Sequence, residues 1–454
     1  MMTADRRSVL KALGSASLLG GVATAGARLQ GSRNERASGR LRKRGHSVLS
    51  NPPGEYTEAD VRPDGGYGVV GSYFGRGGSF LVDLDEPTNP TEVHQVPSSP
   101  DTRNADVAFD PRDGLYYRTQ EPNNRDGVGG VEVIDYGYES GSPANPEIVA
   151  AIDVGHTHNV SAHPDPETPT LYAVNGGFGS SEPGLDVVDV SDPASPTVLG
   201  QFGPAGACHD VVIDGERDLA HAAYIGGGLD GYVVLDTSDP AAPTEVGRYA
   251  YANEPNYRDV PLGEVAFENC HYANYDPERG LAYVGDEVAT GKPGGKHVFD
   301  IGYDEGSPSD PVPIGFTLSP NAEVQEDLPA ERLDWTGHNF DAIPRESTTL
   351  LVSADYHEGA VLYDVGDPTD PVSVNQYRTD DEAGTIAEDT GPGFAGLDAP
   401  MAWGMAYNAT RDLAFAVDMV TGAYTFTATS EDGEAIEPSR SVLEPRLTSH
   451  RIYC

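Results

Sequence analysis

Apolar and polar positions recur along this chain in a fixed order. A Gly leads into four or five apolar residues that end on Asp. A Ser-Asp-Pro or Gly-Asp-Pro turn follows, then a second Pro. The clearest copies are GLDVVDVSDPASPTVLG from Gly184, GYVVLDTSDPAAPTEVG from Gly231 and GAVLYDVGDPTDPVSV from Gly359. Looser copies are SFLVDLDEPTNPTEV, GVEVIDYGYESGSPANPEIV and KHVFDIGYDEGSPSDPVPIG. A second phrase precedes them: His-x-Φ-x-Φ-Asp (Φ apolar), a turn, then Leu-Ala-x-Φ. Examples are HDVVIDGERDLAHAAYIG from His209 and HYANYDPERGLAYVGDE from His271. Alternation over such short stretches, broken by Gly, Pro and Asp, predicts half-buried antiparallel strands. Pro falls at the turns, as its exclusion from central ladders requires.

Each unit therefore predicts four strands. The Asp that ends the third strand falls at Asp83, Asp135, Asp189, Asp236, Asp300 and Asp364, with Thr427 in that slot in the last copy. Seven four-stranded units predict an all-β, seven-bladed β-propeller of antiparallel blades over residues 51–430. A solenoid would need polar capping units at its ends, and neither end shows one, so a closed ring is favoured. The strand-end Asp and the following Pro read as turn-capping residues.

Composition supports this reading. The 54 Gly and 36 Pro residues favour many turns over long helices. The formal net charge is −43, unevenly placed. Ten of the 29 basic residues lie in the first 44 positions, where only Asp5 and Glu35 are acidic. The remaining body is strongly acidic and would repel nucleic acid. Such a composition resembles that of haloarchaeal proteins, whose acidic surfaces are solvated and screened at high salt.

Residues 1–30 resemble a twin-arginine export signal. Arg6-Arg7-Ser8-Val9-Leu10-Lys11 is followed by an Ala/Gly-rich apolar stretch and by the small residues Ala23 to Ala27. The resemblance implies an extracellular or cell-surface protein exported already folded. No later apolar run reaches the length of a membrane span, so no integral membrane domain is expected. Residues 31–50 are basic and without periodicity, and read as a disordered linker. Residues 431–454 read as a C-terminal strand or tail.

Candidate chemistry lies in the second phrase. Four consecutive units begin their first strand with His: His158, His209, His271 and His338. The other units carry Glu58 or Ala59, Ala105 and Trp403 there. In a propeller the first strands line the central channel, so these imidazoles would meet at one channel mouth. Polar residues after the second strands join the same face: Asn175, Asp286, Glu287, Asp355, His357 and Asp418. Converging His and carboxylates suit a transition metal, Cu or Zn. The candidate ligands are His158, His209, His271, His338, His357 and Glu287. Tolerated polar residues facing a wet channel would have the same pattern. Cys208 and Cys270 precede His209 and His271 and could be buried thiols, a disulfide or soft ligands. Three inserts, 250–269, 318–337 and 379–402, would fold over the same face, where loops on rigid scaffolds often carry function. The Gly/Lys-rich stretch Gly291 to Lys296 lacks Walker spacing and reads as a turn tip.

The repeated phrases resemble the LVIVD-repeat family, named for its apolar strand ending in Asp. The resemblance covers about residues 56–428 and implies a propeller. SADYHEGAVLYDVGDPTDP (Ser353 to Pro371) is more distantly similar to the selenium-binding, methanethiol oxidase family. That likeness implies His-bound copper, with His357 as the transferable ligand. The chain lacks the His-His-x-Gly-Trp-Asn-x-Cys segment of that family. Two functions follow as expectations. One is an exported binding or scaffold propeller holding a metal in its channel mouth, with a small molecule or a cell-surface partner on that face. The other is a His-ligated, metal-dependent oxidase or hydrolase.

Overall fold

A computed structural model of the chain describes residues 39–49, 55–73, 77–175, 181–288, 291–327, 335–345, 348–385 and 400–430. The expected export signal and the C-terminal residues 431–454 lie outside them. Seven antiparallel sheets form a seven-bladed β-propeller with almost no helix. Six blades have four strands in simple order. In blade 2 the inner strand is split into Thr102–Arg103 and Val107–Phe109. Among the described residues no helix is long and apolar enough to cross a membrane.

The last blade corrects the expectation for the basic segment. Gly39–Ser47 is a strand, not a disordered linker, and it pairs antiparallel with Gly422–Ser430. It supplies the outermost strand of the sheet that also holds Ala402–Asn408 and Leu413–Asp418. Ring closure thus joins the two ends of the propeller. The segment's basic residues suit an outer edge. Leu41 and Gly45 are buried while Arg42 and Arg44 face water, and charge on an edge strand blocks further pairing. The Lys43 ammonium donates to Asp381 (3.0 Å) and Glu382 (2.6 Å) of the last insert.

Apolar clusters fill the spaces between blades. One joins Tyr172, Val187, Cys208, Val211 and Leu235 of blades 3 and 4. The next joins Val234, Cys270, Ala282 and Phe299 of blades 4 and 5. The seam is sealed alike, by Tyr56, Val70 and Phe80 of blade 1 against Leu413, Phe415 and Val417 of blade 7. Each Val, Leu or Phe among them contributes about 1.5–3 kcal/mol when fully buried. Close packing at the seam leaves no room for a side chain at Gly404, where a Cβ would meet Ala59 N at 2.5 Å and Glu58 Oε1 at 2.8 Å.

The strand-end aspartates cap turns, as their sequence context suggested. Asp83, Asp189, Asp236 and Asp364 each accept the backbone N–H two residues on, at 2.7–2.8 Å. Asp135 goes further and accepts five, from Gly137, Tyr138, Glu139, Ser140 and Gly141. Although burial opposes it, this nest of N–H donors holds the Asp135 carboxyl down to about 2.

Two outcomes are expected for urea unfolding. Gly404→Ala should lower stability by about 1–3 kcal/mol, because the backbone of blade 1 must move away. An unchanged midpoint would show that the seam is loosely packed. Asp135→Ala leaves five turn N–H groups without their carboxylate and should cost about 1–3 kcal/mol. The Asp135 contribution is present above the unfolded carboxyl value and is lost as pH falls toward about 2. The difference between parent and variant should therefore shrink on acidification. A pH-independent difference would contradict this account.

Candidate metal site at the channel mouth

The histidine slot is set by a bulge in the inner strand. Register breaks fall at Thr157/Val160, Cys208/Asp210, Cys270/Tyr272, Gly337/Phe340 and Ala402/Gly404. A bulge adds a residue and re-aims its side chain. Here both the slot residue and the one after it can face the channel. Blade 1 has the same break, with Ala59 paired to Val70 as Val160 is to Ala173. By that register its slot residue is Thr57, which replaces the expected Glu58 or Ala59.

The slot residues form a belt of touching rings. Centroids are 4.6 Å apart for His158–His209, 3.9 Å for His209–His271 and 4.4 Å for His271–His338. The belt continues through His338–Trp403 (4.6 Å) and Trp403–Tyr73 (5.0 Å), and closes at Tyr73–His158 (6.5 Å). Tyr73 completes it where blades 1 and 2 carry only Thr57 and Ala105 in the slot.

Backbone carbonyls of neighbouring blades fix the imidazoles. His209 Nδ1 lies 3.0 Å from the His271 carbonyl, and His338 Nδ1 lies 2.7 Å from the Trp403 carbonyl. A carbonyl can only accept, so each Nδ1 carries the proton and each Nε2 keeps its lone pair. This is the orienting contact that metal-ligating histidines usually have. Burial, then the neighbouring imidazoles, push His209 and His271 well below the ordinary histidine range. Burial foremost takes His338 down to about 3. The rings are neutral at physiological pH, as ligation requires.

His271 and His338 meet a carboxylate. His271 Nε2 is 3.7 Å from Glu287 Oε2, and His338 Nε2 is 3.8 Å from Glu287 Oε1. Among the described residues these three bring their ligand atoms within 4.8 Å of one another. His338 Nε2 is buried and has no hydrogen-bond partner. A tetrahedral zinc with bonds of roughly 2.0–2.1 Å needs ligand atoms roughly 3.3 Å apart. The two imidazole–carboxylate separations need only a small contraction. The Tyr356 hydroxyl donates to Glu287 Oε1 at 2.9 Å, with its ring 5.0 Å from that of His338.

The other candidates are placed differently. His158 Nδ1 contacts Glu121 at 3.1 Å, and His156 Nδ1 contacts it at 3.4 Å. Burial opposes ionisation of Glu121, but His158 and Arg103 beside it hold its carboxyl down to about 2. His209 stands in the belt, outside the three-ligand group. His357 sits on a turn at φ +62°, its ring 4.8 Å from that of Trp335. Neither His357 nor His158 belongs to the three-ligand group. Cys208 and Cys270 are free, fully buried thiols in separate apolar clusters, which removes the disulfide alternative.

Aspartates after the second strands hold the inserts. Asp286 accepts from Tyr251 (3.0 Å) and Tyr257 (2.8 Å) of the first insert, and pairs with His297 Nε2 (3.0 Å). Asp418 accepts from Thr379 Oγ1 and Met401 N of the last insert. Asp355 forms a buried ion pair with Lys296 at 2.7 Å, so that lysine is not on a turn tip. Parts of the second and third inserts, 328–334 and 386–399, lie outside the described residues. Glu121, Tyr73 and Tyr356 were missed in the sequence. Their one signal is position, since each stands at or just beyond the end of a second strand.

Nitrogen-15 NMR of the imidazoles checks the tautomers. His209 and His338 should show Nδ1–H rings that do not titrate between pH 5 and 8. Because the folded value of His338 is lowered, its neutral burial favours folding above the unfolded histidine value of roughly 6.5, and that contribution is lost as pH falls toward about 3. An Nε2–H ring or a titration midpoint above 6 would contradict this geometry.

Comparisons with known proteins agree with the fold. The LVIVD repeat model matches residues 179–203 and 206–251. No curated protein matches this chain in sequence. Among solved structures, Kuenenia stuttgartiensis hydrazine synthase is similar over 86% of this chain and 99% of its own, at 12% identity and a TM-score of 0.54. The β-propeller domain of Cps50 (Swd1) from Myceliophteria thermophila covers 85% of this chain and 98% of its own, at 10% identity and a TM-score of 0.51. At such identities the likeness concerns the fold alone. The repeat match and the seven-bladed architecture together support an LVIVD-repeat β-propeller.

Proposed function

We propose that this propeller is an exported binding protein that holds a zinc or copper ion at its channel mouth through His271, His338 and Glu287. The observation that carries the reading is the fixed orientation of His338. Its Nδ1 is engaged by a backbone carbonyl, and its buried Nε2 lies 3.8 Å from Glu287 with no hydrogen-bond partner. Leaving such a nitrogen unsatisfied is costly in a core, and a metal would satisfy it. Two imidazoles and one carboxylate suit zinc or copper over magnesium or calcium. Export rests on the twin-arginine-like start, Arg6-Arg7-Ser8-Val9-Leu10-Lys11.

A second reading is a metal-dependent oxidase or hydrolase. It is favoured by the number of ligands. Three protein ligands leave a position open, as catalytic zinc sites do. Tyr356, whose hydroxyl donates to Glu287, stands beside the site and holds that carboxylate in place. The resemblance to the methanethiol oxidase family adds nothing to the ligand set, because its transferable residue, His357, packs against Trp335 instead.

Metal analysis of protein purified at high salt tests the proposal. The parent should carry close to one zinc or copper per chain. His271→Ala with His338→Ala should reduce this at least tenfold while the far-UV circular dichroism spectrum is kept. Substoichiometric metal in the parent after exposure to both ions would overturn both readings. Full metal content in the double variant would place the metal elsewhere.

A further inference from the structure

A buried cation stands behind His338. Lys296 opens the third strand of blade 5 and crosses to blade 6, where its ammonium pairs with Asp355 at 2.7 Å. Both side chains are buried. The rings of Phe340 and Tyr363 lie 5.3 Å and 5.1 Å from the ammonium. Asp355 gathers three more donors: Ser353 Oγ at 2.6 Å, the Tyr363 hydroxyl at 2.5 Å and the backbone N–H of His338 at 3.3 Å. The last of these bears on the site. His338 and Asn339 fall in the bulge between Gly337 and Phe340, where the register gives neither a partner in the second strand. Asp355 supplies the acceptor that the ladder does not. The ammonium also packs on the residue before His338, since a Cβ at Gly337 would meet Lys296 Nζ at 2.4 Å.

The neighbouring blades set this pair apart. Asp286 and Asp418 stand opposite Cys270 and Ala402 as Asp355 stands opposite Gly337. Asp286 accepts from Tyr251, Tyr257 and Glu268 N and pairs with His297. Asp418 accepts from Thr379 and from the N–H groups of Met401, Val420 and Thr421. Of the three, Asp355 is the one that reaches the residue in the histidine slot, and the one that holds a lysine. A buried ion pair adds little stability over apolar residues of like volume, and its best-attested use is to fix register. Taking the mouth as a metal site, we propose that the Lys296–Asp355 pair is its positioning element, clamping the bulge at Gly337 and His338 so that the imidazole keeps Nδ1 on the Trp403 carbonyl and Nε2 toward Glu287. Neither residue touches the ion. They act through the backbone that carries His338, as the outer contacts of metal sites orient the ligands inside them.

Lys296→Met with Asp355→Leu replaces the pair by apolar side chains of similar volume. In the full chain at high salt, zinc affinity measured against a competing chelator should fall roughly tenfold or more while the far-UV circular dichroism spectrum is kept. Nitrogen-15 NMR of the metal-free protein should show His338 as a single Nδ1–H ring in the parent and as a mixture of tautomers in the variant. Asp135→Ala, which weakens the fold at an outer turn, should change neither reading. Parent affinity with a single Nδ1–H ring in the double variant would make the pair a structural contact and overturn the proposal. Weaker binding with the Nδ1–H ring intact would make it an effect of charge alone, and would overturn the positioning role as well. If the parent takes no zinc, the metal reading fails on its own, and the His338 tautomer in the variant decides whether the pair clamps the bulge. Should the double variant not fold, Asp355→Asn keeps the shape and weakens the contacts with Lys296 and His338, and the same two readings decide.

Discussion

The innermost strand of a propeller blade has a free edge, and the polar backbone groups along that edge must be satisfied inside the ring. A buried N–H left alone costs a large part of a hydrogen bond's worth of stability. Here side chains of one blade serve the backbone of the next. Asp60 reaches Phe109 N, Asp106 reaches Val160 N, Asn274 reaches the Phe340 carbonyl and Asp341 reaches Tyr407 N. At the seam Asn408 reaches the carbonyls of Arg62 and Pro63. The ring is held at its axis by these contacts and at its wall by the apolar clusters between blades.

This constraint concentrates chemistry in the channel. Every inner strand that serves its neighbour brings an acid or amide to the axis, so carboxylates gather there. The bulge one step earlier turns the slot residue to the same space, and imidazole is the side chain that can use both sides of that position. Its Nδ1 serves the next blade's carbonyl, as in His209 and His338, and its Nε2 is left facing inward. The same stitching that closes the fold therefore presents neutral nitrogen donors above a layer of oxygen donors. Glu287 completes the upper group because Asn269 and Glu287 exchange hydrogen bonds at the end of the first insert.

Much of this was legible in the chain. The apolar stretches ending on Asp, with Pro after them, marked the turns, and the count of such units marked the blades. The four histidines were legible as a set because a repeat makes position meaningful. What escaped was governed by spatial neighbours that lie far apart in sequence. Gly39–Ser47 looked disordered because its charge hid an alternation visible only beside Gly422–Ser430. Which two of the four histidines would share a carboxylate depended on Glu287, one of several acids after second strands. Most of the others instead clamp inserts or bury a lysine. Tyr356 gave no signal beyond its neighbours, and His357 beside it drew attention that its place against Trp335 does not reward.

The central claim is that the channel mouth is a metal site built on a fixed imidazole tautomer. Crystals of the parent protein grown with zinc, with data collected on both sides of the zinc edge, test it most directly. The account predicts one strong anomalous peak at bonding distance, roughly 2.0–2.2 Å, from His271 Nε2, His338 Nε2 and a Glu287 oxygen. A map with no peak there, or with zinc bound through Nδ1 after the Trp403 carbonyl contact has broken, would contradict it.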